Sequence, residues 1–124
     1  MIVEDEQDLT TLLKFIFEKF GYEVVEAQNG QIALNLLGIG AHPKQPDRMP
    51  DIIITDVMMP VVDGYTLVAR LQENDSTRKI PVIVITAKAN TKELFQFASN
   101  IAEFVEKPFE PKNLKEIVEK VLKK

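Results

Sequence analysis

The sequence of 124 residues contains no cysteine. Disulfide bonds, thiolate catalysis and cysteine-based metal sites are therefore excluded, and the absence suits a reducing compartment. No apolar run approaches the length that spans a membrane. Acidic residues follow Met1 within three positions, where a signal peptide would have a basic stretch and then an apolar run. These absences predict a cytoplasmic protein with no membrane partner.

Positive charge is also scarce. The chain has 15 Lys and Arg residues and 19 Asp and Glu residues, which gives a net charge of −4. A nucleic-acid surface needs a basic patch, and the only basic cluster lies near the end of the chain, where it is typical of a solvated helix face. We therefore expect no nucleic-acid binding by this chain. The apolar content of 45% and the length are typical of one globular domain, which we place at residues 1–124.

Apolar runs alternate with segments of helical periodicity along the whole chain. The predicted strands are residues 1–3, 22–25, 51–55, 80–85 and 104–105. The predicted helices are residues 9–20, 31–37, a segment around 67–71, 91–100 and 111–122. Residues 38–50 contain two Gly and three Pro, which indicates a loop. This alternation predicts an α/β fold, in which a parallel sheet has helices on both faces and right-handed crossovers.

Candidate site residues follow four of the five predicted strands. They are Glu4, Asp5 and Glu6 after the first strand, Asp56 after the third, Thr86 after the fourth and Lys107 after the fifth. Ligands of such sheets bind beyond the carboxyl ends of the strands, so these residues are expected to meet there. Crowded carboxylates raise each other's pKa values unless a cation lies among them, and oxygen ligands suit Mg²⁺. A metal, an ammonium and a hydroxyl together match a phosphoryl group.

Four motifs give a more specific indication. They are IVEDE at residues 2–6, PDIIITDVMMPVVDG at 50–64, PVIVITAKA at 81–89 and EKPF at 106–109. In this order and near this spacing they resemble the receiver domain of bacterial two-component response regulators, of the chemotaxis-regulator type. The likeness runs from Ile2 to about Leu122. It implies a flavodoxin-like (βα)5 fold with the strand order 2-1-3-4-5.

The resemblance implies a Mg²⁺ site and a phosphate acceptor. Asp56 would take a phosphoryl group from the phosphohistidine of a sensor histidine kinase or a phosphotransfer protein. Asp5, Asp56 and the backbone carbonyl of Met58 would bind the metal directly. Glu4 would act in the metal shell through water. In this family the chain is a signalling phosphoacceptor rather than an enzyme with its own substrate.

The resemblance also implies a conformational switch. Lys107 would pair with the phosphoryl oxygens, and the Lys107–Pro108 peptide bond would be cis. Thr86 would move to bond the phosphoryl group, and Phe104 stands at the position of the family's aromatic switch residue. The extra charge on Asp56 would then favour one of two packings of the fourth helix and the fifth strand. A homodimer through the face of the fourth helix, fifth strand and last helix is a further expectation.

Structural interpretations compete with these roles. Asp5 is also a good helix cap, Asp56 a good turn residue, and Thr86 could close a turn. Phe104 would serve equally as a core residue. Asp63-Gly64 is a turn signal, and we assign it no chemistry.

Three other functions are possible for this fold. An aspartate-nucleophile phosphatase or phosphotransferase would want a second Asp where Met58 stands. A flavin carrier would want a Ser/Thr/Gly-rich loop in place of EDEQD. A degenerate docking domain would lack the Asp, the Thr or the Lys, and all three are present.

Several features depart from the family pattern. The first strand is short, the 38–50 loop is long, and the segment between Thr86 and Lys107 is about one residue shorter than usual. Asn100-Ile101 replaces the frequent Gly-Ala before the fifth strand, which puts the fourth helix in doubt. Met58 and Lys88 stand two residues after Asp56 and Thr86, at positions that influence how fast the phosphate is lost.

Overall fold

The computed structural model describes residues 1–46, 48–87 and 89–123. In order along the chain, its elements are β1 Ile2–Val3, α1 Gln7–Lys19, β2 Glu26–Ala27, α2 Gly30–Leu36, β3 Ile53–Asp56, α3 Gly64–Gln72, β4 Val82–Thr86, a 3₁₀ helix Ala89–Phe95, β5 Ile101–Glu106 and α4 Pro111–Leu122. All five strands are parallel, in the order β2-β1-β3-β4-β5. The predicted doubly wound α/β fold and its strand order are confirmed.

The sheet divides the interior into two apolar cores. Alternate residues of β3 and β4 face opposite sides, as the pleat of a strand requires. Side chains on one side pack with α2 and α3: Ile53, Val82 and Val84. Side chains on the other side pack with α1 and α4: Ile54, Ile83 and Ile85. Burial on both faces explains why these strands read as continuous apolar runs.

Strand β1 has only two residues, yet it lies inside the sheet between β2 and β3. Ile2 pairs with Glu26 on one side and with Ile54 on the other. The second strand exists, but its predicted bounds, residues 22–25, are wrong. It covers Glu26–Ala27, and only the carbonyl of Val25, which accepts the N–H of Ile2 at 2.8 Å, joins it from the predicted segment. Instead, Tyr22 packs its ring against Phe17 in the α1–α4 core, with ring centroids 5.7 Å apart.

The α-helix predicted at residues 91–100 is also wrong. The chain forms a 3₁₀ helix over Ala89–Phe95 and then turns, so the described residues contain four α-helices instead of five. Phe95 and Phe97 both contact the Tyr65 ring, with centroid distances of 5.8 and 5.3 Å. Residues two apart do not face the same way on an α-helix. Packing of both rings on one partner therefore requires the chain to leave the helical path.

The long 38–50 loop lies on the side of the sheet opposite to the carboxyl ends of the strands, because it leads into the start of β3. Its described residues border a cavity of about 380 Å³ together with the end of α2 and Ile52. The cavity is thus separated from the carboxyl ends of the strands by the length of the sheet. None of the helices in the described ranges is long and apolar enough to cross a membrane.

Asn100, one of the departures from the family pattern, ties three elements together. Its Nδ2 donates to the carbonyl of Ile80 at 2.7 Å, and its Oδ1 accepts from Gln72 Nε2 at 2.6 Å. Its backbone carbonyl accepts from the N–H of Val82 at 2.9 Å. The side chain thus links the end of α3 to the entry of β4 beside the start of β5.

We expect Asn100→Ala to destabilise the protein by about 1–3 kcal/mol, because it leaves partly buried polar groups without partners. Urea unfolding followed by circular dichroism measures this change. Asn113→Ala on the exposed surface of α4 is the matched control, with an expected change within about 0.5 kcal/mol. Equal unfolding midpoints for the two variants would contradict the structural role of Asn100.

Candidate functional site

The carboxyl ends of the strands bring together an acidic cluster. Glu4 and Asp5 follow β1, and Asp56 is the last residue of β3, which pairs with β1. One carboxylate oxygen from each of these three residues lies within 4.8 Å of the others. Glu4 and Asp56 are buried, whereas Asp5 is exposed. The cluster is therefore open to solvent on the side of Asp5.

Asp56 is held by contacts to both of its carboxylate oxygens. The N–H of Val57 donates to Oδ1 at 2.7 Å, and the Lys107 ammonium donates to Oδ2 at 2.8 Å. The backbone after it is fixed as well, since Val57 N–H bonds the carbonyl of Ile85 and Gly64 N–H bonds the carbonyl of Val57. The carboxylate is thus oriented by the ends of three elements.

Lys107 brings positive charge into the cluster from the end of β5. Its Nζ lies 2.8 Å from Asp56 Oδ2 and 3.6 Å from Glu4 Oε1. Its backbone N–H donates to the carbonyl of Thr86 at 2.8 Å, which fixes it against the end of β4. Burial alone would lower the pKa of Lys107, but the hydrogen bond and charge of Asp56 outweigh it and raise the pKa. The Lys107–Pro108 peptide bond is cis, as predicted.

Glu4 is the most deeply buried acid of the cluster. Its Oε2 accepts the N–H of Glu6 at 3.0 Å, but Oε1 has no hydrogen-bond partner among the described residues. Burial raises the pKa of Glu4 to about 7, and the charge of Asp56 also raises it, although the Glu6 bond and Lys107 act in the opposite direction. One lysine therefore leaves this carboxyl short of compensating charge.

The cluster fits a small divalent cation. Its ligand atoms are all oxygens, which Mg²⁺ prefers, and its open side leaves room for the waters that this ion retains. Glu4 Oε1 has the 3.6 Å ion-pair contact with Lys107 but no hydrogen bond among the described residues, so it is available to a further positive group. Met58, the other predicted ligand through its carbonyl, lies in the loop after β3 with its side chain 78% exposed.

The two predicted switch residues lie on neighbouring strands. Thr86 is the buried last residue of β4 and pairs with Glu106. Phe104 is half-buried on β5, and the Lys92 ammonium lies 5.8 Å from the centre of its ring. Thr86 thus ends its strand beside the backbone of Lys107, whereas Phe104 lies two residues before the end of β5. Lys88 lies outside the described residues.

An aromatic cluster that the sequence did not predict joins Phe104 to the start of α3. The Phe104 ring packs edge-on against the buried Phe95, and Phe95 packs against Tyr65 and Phe97. Tyr65 directly follows Gly64, at the start of α3. No sequence spacing could have predicted the cluster, because its members come from α3, the 3₁₀ helix with the turn after it, and β5.

Asp63 has the structural role that its turn signal predicts. Its carboxylate accepts the N–H of Thr66 at 2.7 Å and so caps α3. The neighbouring Gly64 has a role at the site that the turn signal did not reveal. A Cβ atom on Gly64 would overlap the backbone carbonyl of Asp56 and would press on the Cα of Val57. A side chain at position 64 would therefore displace the residue that carries the central carboxylate.

We expect Gly64→Ala to destabilise the protein by about 1–3 kcal/mol, because overpacking against the backbone forces a shift. It should also weaken Mg²⁺ binding, since Asp56 would move. Thermal unfolding and an NMR titration with MgCl₂ measure the two effects. Gly21→Ala is the control for the metal-binding effect. Its φ of +92° makes an Ala there strained, so the fold should also be destabilised, but no atom lies close enough to be displaced and the Mg²⁺ affinity should stay unchanged. An unchanged Mg²⁺ affinity in Gly64→Ala would contradict the close packing at Asp56.

The whole chain is similar to a known family of signalling domains. The family model of the response regulator receiver domain matches residues 1–119. Among curated proteins, the chain is 35% identical over 123 residues to a probable transcriptional regulator, ycf29, of Pyropia yezoensis, covering 98% of this chain and 52% of that protein. It is 33% identical over 125 residues to the phosphate regulon transcriptional regulatory protein PhoB of Pseudomonas aeruginosa, covering 100% and 51%. The chain thus spans about half the length of these relatives.

Solved structures agree with this match. The receiver domain of a signal transduction histidine kinase from Syntrophus aciditrophicus has a TM-score of 0.80 and 32% identity, covering 98% of this chain and 87% of that one. The response regulator TrrA of Thermotoga maritima, in complex with Mg²⁺-BeF, has a TM-score of 0.76 and 27% identity, covering 97% and 95%. Similar backbones are therefore found both in histidine kinases and in response regulators.

Proposed function

This chain belongs to the response regulator receiver domain family, which serves two-component signalling, and on that premise we propose that it accepts a phosphoryl group on Asp56 with the help of Mg²⁺. The observation that carries the proposal is the Asp56 carboxylate, buried among two further carboxylates and bonded by Lys107 at 2.8 Å. The donor is the phosphohistidine of a sensor histidine kinase or a phosphotransfer protein. The chain acts as a signalling phosphoacceptor rather than as an enzyme that turns over a small-molecule substrate.

The transfer exchanges one bond to phosphorus for another. A carboxylate oxygen of Asp56 attacks the phosphorus, the P–O bond forms, and the P–N bond to the donor histidine breaks. The Val57 N–H and the Lys107 ammonium already hold the two Asp56 oxygens, so the nucleophile is oriented before the donor arrives. Mg²⁺, when bound by Asp5, Asp56 and the Met58 carbonyl, with Glu4 acting through water, would neutralise charge on the phosphoryl oxygens.

The product carries more charge than the carboxylate it replaces. A phosphoryl group takes Asp56 from −1 to about −2, by analogy with other phosphorylated side chains. Lys107, whose Nζ lies 2.8 Å from Asp56 Oδ2, would pair with the new oxygens, and Thr86, the last residue of the neighbouring strand β4, would bond them through its hydroxyl. Movement of Thr86 would change the packing around Phe104 and Phe95, which we propose as the conformational readout.

The conformational change must act on another protein or domain to have an effect. We propose that it regulates a partner or an output domain in the cytoplasm, because relatives of twice this length include transcriptional regulators. A homodimer would use the surface formed by the 3₁₀ helix, β5 and α4. That surface lacks the fourth α-helix predicted from the sequence, so its contacts would come from the 3₁₀ helix and the turn that follows.

Intact mass spectrometry after incubation with acetyl phosphate tests the acceptor chemistry directly. We expect one phosphoryl adduct with MgCl₂ present and none with EDTA, because the charge on the transferred group needs the metal. An NMR titration with MgCl₂ on the same sample confirms that the metal binds. Metal binding without an adduct, from acetyl phosphate or from a phosphorylated histidine phosphotransfer protein, would contradict the proposal.

A further inference from the structure

The acidic loop, residues 4–6, contacts a buried hydroxyl group of α1. Thr10 is 3% exposed, and its Oγ1 lies 3.4 Å from the carbonyl oxygen of Glu4 and 3.2 Å from that of Glu6. These two carbonyls stand on either side of Asp5 in the chain. Asp5 is itself exposed, so its position follows that of the backbone around it. Thr10 thus contacts the backbone on both sides of one carboxylate of the cluster.

The other hydrogen bonds of residues 4–6 hold mainly the two ends of the loop. The N–H of Glu4 is fixed to the carbonyl of Ala27 at 3.0 Å, which holds the loop only where it leaves β1. At the other end, Glu6 is the N-cap of α1 but forms no side-chain cap hydrogen bond. Ser, Thr, Asp and Asn are the usual caps, and Glu is a poor one. Three contacts therefore hold the loop where it enters α1. Glu4 Oε2 accepts the Glu6 N–H, the backbone N–H of Thr10 donates to the Glu6 carbonyl at 3.1 Å, and the Thr10 hydroxyl adds the side-chain contact that also reaches Glu4.

A purely local explanation accounts for only part of this geometry. Thr often bonds the carbonyl four residues back in a helix, and the contact to Glu6 is of this kind. The contact to Glu4 spans six residues and reaches out of the helix into the loop. Thr10 also occupies a buried position in line with Leu13 and Phe17, where an apolar residue would pack better. The contact between the hydroxyl and the loop, rather than packing in the core, thus explains why a Thr stands at this position.

We propose that Thr10 is a positioning residue that fixes residues 4–6 in the arrangement needed for Mg²⁺ binding. The proposal rests on the proposed function, since it concerns the same metal. Thr10 itself touches neither the metal nor the phosphoryl group. It acts through the backbone of Glu4 and Glu6, as groups behind the direct ligands do in other metal sites.

The Mg²⁺ affinity of Thr10→Val, measured by NMR titration with MgCl₂, tests this role. We expect it to fall about tenfold, because loss of a group that orients metal ligands typically has an effect of that order or larger. Thr10→Ser keeps the hydroxyl and should stay within about twofold of the parent. Thr11→Val makes the same change at the next, exposed position of α1 and should leave the affinity unchanged. All titrations are made well below the unfolding temperatures of the variants.

The possible results separate this proposal from the one on which it rests. Equal Mg²⁺ affinities for the parent and Thr10→Val overturn the role of Thr10 and leave the acceptor chemistry intact. An equal loss in Thr10→Ser and Thr10→Val also overturns it, because packing rather than the hydroxyl would then be responsible. Absence of Mg²⁺ binding in the parent overturns both proposals. A loss in Thr10→Val that Thr10→Ser restores supports both.

Discussion

Asp56→Asn is expected to abolish the Mg²⁺-dependent phosphoryl adduct completely. An amide oxygen is a far weaker nucleophile than a carboxylate, and the substitution also removes the charge that Lys107 pairs with at 2.8 Å. Mg²⁺ binding should weaken as well, because the metal loses one of its anionic ligands. Intact mass spectrometry with acetyl phosphate measures the adduct, and circular dichroism verifies that the sheet is retained.

Asp63→Asn is the matched control for this experiment. Asp63 lies in the same loop region but points to α3, where its side chain accepts the N–H of Thr66. Asn caps a helix about as well as Asp, so the fold and the phosphoryl adduct should be unchanged. Substantial adduct remaining on Asp56→Asn would assign the acceptor to another acid of the cluster, with Asp5 and Glu4 as the first to test.

Lys107→Ala is expected to separate metal binding from the response to phosphorylation. Removing a positive charge 2.8 Å from Asp56 makes the cluster more negative, so Mg²⁺ should bind at least as tightly as in the parent. The phosphoryl oxygens, however, lose the ammonium that would pair with them. We therefore expect slower phosphorylation and loss of the conformational change, because a donor of this kind is worth about 10²–10³ in rate at other sites.

NMR spectra of β5 provide the readout for this variant. In the parent, addition of beryllofluoride with Mg²⁺, as a phosphoryl mimic, should shift the amide signals of Phe104 and Val105. In Lys107→Ala these shifts should be absent, although MgCl₂ alone still produces its own changes. Lys112→Ala, on the exposed surface of α4, controls for the general loss of one lysine. A full response of β5 in Lys107→Ala would rule out Lys107 as the link between the phosphoryl group and the strand.

Much of the fold could be predicted from local patterns. Apolar β-branched runs predicted β3 and β4, and three- and four-residue spacing predicted α1, which ends before Gly21 with its positive φ of 92°. Alternation of the two patterns predicted a parallel sheet. The errors lie where pairing or packing overrides local preference. Residues 22–25 have strand-like composition but precede the ladder with β1, and residues 91–100 have helical composition but place Phe95 and Phe97 against one ring.

The candidate site was predicted as a set of residue types but not as an arrangement. Strand ends and motifs singled out Glu4, Asp5, Asp56, Thr86 and Lys107, and the structure brings the three acids and Lys107 into contact distance. The roles of Gly64 and Thr10 were missed. The signal for Thr10 was present as a polar residue within the apolar stripe of α1, but its partner could not be known before the loop was placed.

The sequence by itself determined which side chains stand at the carboxyl ends of the strands, because that follows from where each apolar run stops. Only the tertiary structure decided which of those side chains form ion pairs and hydrogen bonds with one another. Three features depend on burial and on distances between residues far apart in the chain: the Glu4 oxygen that has no hydrogen bond among the described residues, the raised pKa of Glu4, and the 2.8 Å contact between Lys107 and Asp56. Such distances are set by the packing of β1, β3 and β5 in one sheet. Local sequence favours a helix or a strand at each segment, but it does not determine which distant residues that segment will contact.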